Sequence, residues 1–341
     1  MIDIELPQPY LIFLGDITIA PFAKTAFGLR DWARERCLGE YALPAATVST
    51  GLPRLTPAAA RARGARSMVI GTATVGGGIA APWMPALEEA LEAGLDLVSG
   101  MHTRLESVPR LAEAATRFGR RLINVRQPPS GLPTGTGLKR SGRRLLTVGT
   151  DCALGKKYTA LSLTREFKKR GLDADFRATG QTGILIAGRG IAIDSVVADF
   201  VAGAAEILSP DAAAEHWDVV EGQGSLFHPA YAGVSLGLLH GTQPDVIVMC
   251  HEVGRDRVLG LPDYATPSIR EAIDLTLTLA RRTNPEARCA GVSLNTARLD
   301  DAQARVVLQA QQRELSLPVA DPLRPGAELD RLVDACLQGG R

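Results

Sequence analysis

The stretch that most limits what this chain can become is Gly149-Thr150-Asp151-Cys152-Ala153-Leu154-Gly155-Lys156-Lys157. It follows the apolar run Leu145-Leu146-Thr147-Val148. The residues after it, Tyr158 to Arg170, read as a helix closed by Gly171. Strand, glycine loop and helix form the setting in which a phosphate-loop pattern carries weight. Such a loop turns backbone N–H groups inward, and the helix N-terminus adds partial positive charge, so an anion binds there. One position departs from the usual pattern. Where a serine or threonine would ligate Mg²⁺, this chain has Lys157. A second ammonium in place of a metal ligand predicts a loop built for phosphate with no metal required.

The rest of the 341 residues is read around that loop as two α/β segments. In the first, Tyr10 to Gly15, Ser67 to Gly71, Leu95 to Ser99 and Arg121 to Val125 are continuous apolar strands. Helical patterns run from Trp83 to Ala93 and from Val108 to Phe118. Strands apolar on both faces, alternating with amphipathic helices, predict a parallel sheet covered on both sides. The stretch from Gln127 to Gly137 is a Pro/Gly-rich linker. The expected organisation is a Rossmann-like parallel-sheet domain over residues 1–130 and a P-loop NTPase-like parallel-sheet domain over residues 138–341. In the second domain, strands are expected at 145–148, 174–179, 217–221, 245–250, 289–294 and 318–320. Helices are expected at 195–208, 268–281, 302–314 and 327–337.

Composition narrows the function. A net charge of +1 and 5% aromatic residues leave no basic or base-stacking footprint for nucleic acid. No apolar run reaches the length of a membrane span, and the first residues lack a signal-peptide pattern. The five cysteines are scattered without metal-type spacing, as in a reduced compartment. A cytoplasmic, small-molecule enzyme is expected. A homo-oligomer is also expected, although no interface is legible.

In parallel α/β sheets, ligands sit at the carboxyl ends of the strands, so polar residues just after each strand are the candidates. Lys156 is a point charge for phosphate. Lys157 either binds anion or is solvated. Asp151 inside the loop would repel phosphate unless paired; otherwise it caps a turn. Gln181 and Thr182, between Gly180 and Gly183, offer hydrogen bonds to a substrate. Asp194 is either a helix N-cap or a carboxylate for an amine. Glu221, delivered to a strand end before Gly222-Gln223-Gly224, is the first candidate for a general base. His228 and His251 are the second. Gln181 and the backbone N–H groups of Gly222 to Gly224 are candidate oxyanion donors. Arg255 suits a substrate carboxylate.

The loop together with Thr179-Gly180-Gln181-Thr182-Gly183, the block from Asp194 to Glu206, and Glu221-Gly222-Gln223-Gly224-Ser225-Leu226 resembles a bacterial family long catalogued as a domain of unknown function. Its members include D-glutamate N-acetyltransferases. The resemblance covers nearly the whole chain. It implies a Rossmann-like domain, a phosphate-loop domain, and transfer of acetyl from acetyl-CoA to the amino group of D-glutamate. The coenzyme's phosphates would be anchored by the residues from Gly149 to Lys157. The C-terminal half is also similar to dethiobiotin synthetase, whose loop ends Gly-Lys-Thr; Lys157 departs from it. Two alternatives follow. One is an ATP-dependent kinase or carboxylate ligase with Mg²⁺ on Asp151, Thr159 or Glu221. The other is a non-catalytic nucleotide-binding protein. A covalent route through Cys152 is a further variant of the acetyl-transfer mechanism.

Overall fold

The structure is a computed structural model describing residues 3–73 and 75–338. It divides into two compact units, one formed by the chain up to Pro128 together with Gly180–Ala192, the other by Pro129–Thr179 and the chain from Ile193 onward.

The first unit holds β1 (Tyr10–Gly15), α1 (Lys24–Trp32), β2 (Cys37–Ala42), α2 (Pro57–Ala62), β3 (Ser67–Ile70), α3 (Met84–Glu92), β4 (Asp96–Ser99), α4 (Pro109–Phe118) and β5 (Leu122–Asn124). All strand pairs are parallel, in the order β2-β1-β3-β4-β5. This is one of the doubly wound orders that Rossmann-like folds use. β1 is buried along its whole length, as its unbroken apolar run predicts. β2 has no such run, because Gly39 and Glu40 interrupt it. Its backbone still pairs, for local reasons. A Cβ at Gly39 would lie 2.5 Å from the Pro53 carbonyl oxygen, so only glycine admits that segment. The fully buried Glu40 carboxylate accepts from the Thr50 N–H, the Thr50 hydroxyl and the Ser49 hydroxyl. A buried carboxylate needs such donors.

The second unit begins with β6 (Arg143–Gly149), α5 (Lys156–Lys169) and β7 (Ala174–Arg177). The chain next forms α6 (Gln181–Ala187), which lies in the first unit although it falls within the range expected for the second domain. The second unit continues with α7 (Val201–Leu208), β8 (Trp217–Val220), α8 (Ala232–Thr242), β9 (Val246–Glu252), β10 (Arg257–Val258), β11 (Leu261–Ala265), α9 (Ile269–Ala280), β12 (Arg288–Asn295), α10 (Asp301–Leu315), β13 (Val319–Ala320) and α11 (Ala327–Leu337). Six strands form a parallel sheet ordered β13-β12-β9-β6-β8-β7, and β10 and β11 form a separate antiparallel hairpin. The helices expected near 268 and 302 carry capping boxes, Ser268 with Glu271 and Asp300 with Gln303.

Two helices depart from expectation. The one expected at 195–208 begins only at Val201, because Val197 is extended (φ −59°, ψ 137°) between two short 3₁₀ turns. The apolar, glycine-rich stretch at 232–242 forms α8, which periodicity does not reveal. Its glycines are the surface that α7 packs against. A Cβ at Gly237 would sit 2.6 Å from Val201 Cγ1, and one at Gly241 would sit 2.1 Å from the Ala202 carbonyl oxygen. Among the described residues no helix is long and apolar enough to cross a membrane.

Candidate active site

The sheet order fixes the site. β6 lies between β9 and β8, so the loop that leaves β6 emerges between Cys250-His251-Glu252 at the end of β9 and Glu221 just after β8. Ala153 (φ 54°) and Gly155 (φ 118°) put the loop backbone in left-handed conformations. Gly155 then serves as N-cap of α5. Such alternation curls successive N–H groups inward, toward where an anion binds.

Lys156 is buried, and its Nζ donates to the Asp151 carbonyl oxygen at 2.7 Å across the loop. Burial pulls its pKa down, opposed by the charges of Cys152, Cys250, Asp151 and Glu221. Lys157, on the first turn of α5, is half-buried, with its ammonium 5.3 Å from the centre of the Tyr158 ring. Thr150 places its hydroxyl 2.8 Å from His251 Nδ1. Burial, then the Arg255 charge, lowers the pKa of His251, while Glu252 opposes them. The imidazole is therefore neutral near pH 7.

Asp151 resolves the question of a carboxylate inside a phosphate loop. It is 0% exposed. Oδ1 accepts from the Cys152 N–H at 2.6 Å. Oδ2 accepts from the Leu259 N–H at 2.8 Å and from Arg255 Nη1 at 3.1 Å. Arg255 also ion-pairs with Glu252, which in turn meets Arg298. Arg255, expected to hold a substrate carboxylate, is thus committed to the protein's own carboxylates. The Leu259 N–H, between β10 and β11, fastens that hairpin to the loop.

On the other side of β6, Glu221 is 4% exposed and accepts from the Thr179 N–H at 3.1 Å. Its carbonyl oxygen accepts from the Thr179 hydroxyl at 2.6 Å. A Cβ at Gly222 would lie 1.7 Å from the Thr147 carbonyl oxygen and 3.0 Å from Lys156 Cδ, so glycine here lets Glu221 and the loop lysine approach. The Gly222 N–H, expected as an oxyanion donor, is engaged by the Thr147 hydroxyl at 3.0 Å.

His228 is buried, its ring 4.5 Å from that of Tyr231. It comes from the segment after β8 to the loop itself. A carboxylate oxygen of Asp151, the Cys152 sulfur and a ring nitrogen of His228 lie within 4.8 Å of one another. No sequence spacing signals this trio. Its donor types suit a transition metal, but the Asp151 carboxylate already accepts three hydrogen bonds, one from a guanidinium. Of the remaining expected residues, Asp194 is exposed on the 3₁₀ turn Ile193–Ser195, and the N-cap of α7 is Phe200 instead. Gln181 and Thr182 start α6 in the first unit. There the Thr182 hydroxyl meets that of Thr25 at 2.9 Å. A Cβ at Gly100 would lie 2.6 Å from Gln181 Cβ. Both contacts are packing against the body of that unit.

The hydroxyls that might stand in for the missing metal ligand are also occupied. Thr159 Oγ1 donates to the Gly155 carbonyl oxygen and lies 2.8 Å from Ser293 Oγ. The oxygens of Thr159 and Asp151 are thus both engaged by protein groups.

Two family models match the chain. "Domain of unknown function (DUF1611_N) Rossmann-like domain" matches residues 35–128, and "Domain of unknown function (DUF1611_C) P-loop domain" matches residues 133–333. A D-glutamate N-acetyltransferase of Pseudoalteromonas sp. is 46% identical over 324 residues, covering 95% of this chain and 98% of the relative. One of Tritonibacter scottomollicae is 47% identical over 330 residues, 97% of this chain and 98% of the relative. The crystal structure of a DUF1611 family protein from Anabaena variabilis superposes with a TM-score of 0.88 at 33% identity, covering 97% of this chain and all of that one. With both parts of the chain matched and two relatives aligned end to end, this chain belongs to the DUF1611 family and is an enzyme of its acyltransferase group.

Proposed function

We propose that this chain is an N-acetyltransferase that moves the acetyl group of acetyl-CoA to the amino group of D-glutamate, with its phosphate loop anchoring the coenzyme without Mg²⁺. The substrate is inferred from the names of the two relatives. The anchoring is inferred from the loop. The carrying observation is that Lys157 replaces the metal-ligating hydroxyl while Thr159 and Asp151 are held by protein partners. A loop lined by N–H groups and two ammoniums suits a pyrophosphate or a 3′-phosphate directly.

The coenzyme supplies an acetyl thioester. Lys156 leaves the Asp151 carbonyl oxygen to meet phosphate. The substrate ammonium must lose a proton before its nitrogen can attack. Glu221 is the base, a carboxylate at a strand end within the electrostatic reach of Lys156. As the new C–N bond forms and the C–S bond breaks, the nitrogen gives up its second proton, which passes to the departing thiolate, while the first leaves Glu221 for solvent. His251, held neutral by its surroundings, is the alternative acceptor. Glu221→Gln should lower turnover about 10²- to 10⁴-fold while coenzyme A still binds. Normal turnover in that variant would transfer the role to His251.

The test of the whole reading is thiol release from acetyl-CoA in the presence of D- and L-amino acids, without ATP and with EDTA. Release with D-glutamate is expected. Silence across the panel, or release only after Mg²⁺ is added, would overturn the proposal.

A further inference from the structure

We infer that His228 is a fixed hydrogen-bond donor to the anion held in the phosphate loop, and not a proton acceptor. The identity of that anion as the coenzyme rests on the proposed function; the role of the ring does not. The backbone N–H of Ala230 points at His228 Nδ1 from 3.1 Å. A backbone N–H can only donate, so Nδ1 must present its lone pair. In the neutral ring the proton then sits on Nε2. The same bond removes the ring from metal coordination, because the one nitrogen with a lone pair is already engaged.

The Nε2–H is left without an acceptor among the described residues. The side chain carrying it is 4% exposed and covered by Tyr231. Nε2 is not one of the fully enclosed unpartnered polar atoms, so this donor stays open to a partner that arrives from outside. Its surroundings say what kind. A ring nitrogen of His228 lies within 4.8 Å of side-chain atoms of Asp151 and Cys152, both in the loop. Both Asp151 oxygens are already committed to the Cys152 and Leu259 N–H groups and to Arg255. A donor set beside the inward N–H groups of the loop suits an oxyanion held there. His228 thus adds a donor from the β8 side to those of the loop backbone and Lys156.

The test uses the intact protein with coenzyme A and inorganic pyrophosphate as separate probes. His228→Ala should weaken binding of both about 10- to 100-fold, the loss of one charge-assisted hydrogen bond. His228→Gln, whose amide N–H reaches the same place, should recover most of that loss. A base role predicts the reverse: unchanged binding in His228→Ala, with turnover failing equally in the alanine and glutamine variants. Long-range ¹⁵N imidazole spectra of the wild-type protein read the tautomer without any substitution. An Nδ1–H ring would overturn the inference whatever the variants do. Wild-type protein that binds pyrophosphate but not coenzyme A would sink the acetyl-CoA reading alone. The donor role would then be decided by pyrophosphate affinity.

Discussion

Arg255→Ala tests how the loop carries a carboxylate at all. Asp151 is 0% exposed and Arg255 is 14% exposed at its side chain, so their pair is shielded from water on the acid side and nearly so on the basic side. Removing the guanidinium leaves a buried carboxylate with no charged partner at hydrogen-bond distance. Breaking a buried pair in this way costs about 3–5 kcal/mol. The Cys152 and Leu259 N–H groups still bind Asp151. Arg298 still meets Glu252. The lower end, about 3 kcal/mol, is therefore expected. For a unit of this size each kcal/mol moves the midpoint by about 2–4 °C, so the second unit should melt roughly 6–12 °C earlier. Differential scanning calorimetry on wild type, Arg255→Ala and Arg255→Lys would measure it. The lysine variant should fall between the other two, because it keeps charge but loses the fork that meets Asp151 and Glu252 together. A shift under about 2 °C in the alanine variant would mean less than about 1 kcal/mol. The claim that Arg255 holds the loop carboxylate would then fail.

Gly222→Ala should be far more damaging than an ordinary surface change, by more than about 4 kcal/mol. Its new methyl meets the Thr147 carbonyl oxygen at 1.7 Å, with backbone on both sides of the clash; a thermal melt close to wild type would contradict this. His251→Asn should flatten the acid limb of stability. Burial and Arg255 hold the histidine below its usual pKa of 6.5. The unfolded chain therefore takes up a proton first, and stability present above about pH 6.5 is lost below it. Melting curves at about pH 7.5 and 5.5 should show a smaller loss in the variant than in wild type; equal losses would refute the assignment. Lys157→Thr restores the hydroxyl of an ordinary phosphate loop. Coenzyme A affinity should drop roughly 5-fold, the worth of one partly exposed charge. Titration calorimetry should find no Mg²⁺-dependent recovery, and a recovery would show that the altered position alone excludes the metal.

The parts of the fold that were legible are those where one physical signal dominates. β1 and β9 are continuous apolar runs buried on both faces, and α9 and α10 announce themselves by capping residues. β2 escaped because Glu40 looks exposed by chemistry and is buried through donors from residues 49 and 50 and an ion pair with Arg54. α8 escaped because its glycines are poor helix formers in isolation, and only the close approach of α7 explains them. At the site, the loop was legible from spacing alone. The partners of Asp151 were not, since Arg255 and Leu259 lie 104 and 108 residues further along the chain. Gln181 and Thr182 look like a loop after a strand. The chain instead enters the first unit at Gly180 and leaves it after Ala192. No local pattern reports such an excursion.

On the proposed function, the substitution at Lys157 is one of several features that turn this loop from metal ligation toward direct phosphate binding. Mg²⁺ needs oxygen ligands with free lone pairs in near-ideal octahedral geometry. Four side chains that could offer such oxygens each have a protein partner here. The Thr150 hydroxyl is paired with His251, and that of Thr159 with Ser293 and the Gly155 carbonyl. The Asp151 carboxylate is taken by two N–H groups and a guanidinium, and the Glu221 carboxylate accepts from Thr179. On the proposed reading, an incoming phosphate would meet groups of donor character: the loop N–H groups, Lys156, Lys157 and the His228 ring. On the proposed function, the same backbone geometry that in other proteins cradles a metal-bridged nucleotide would here hold a bare phosphate. A hydroxyl at position 157 changes one ligand out of several, which is why it should cost affinity without bringing the metal back.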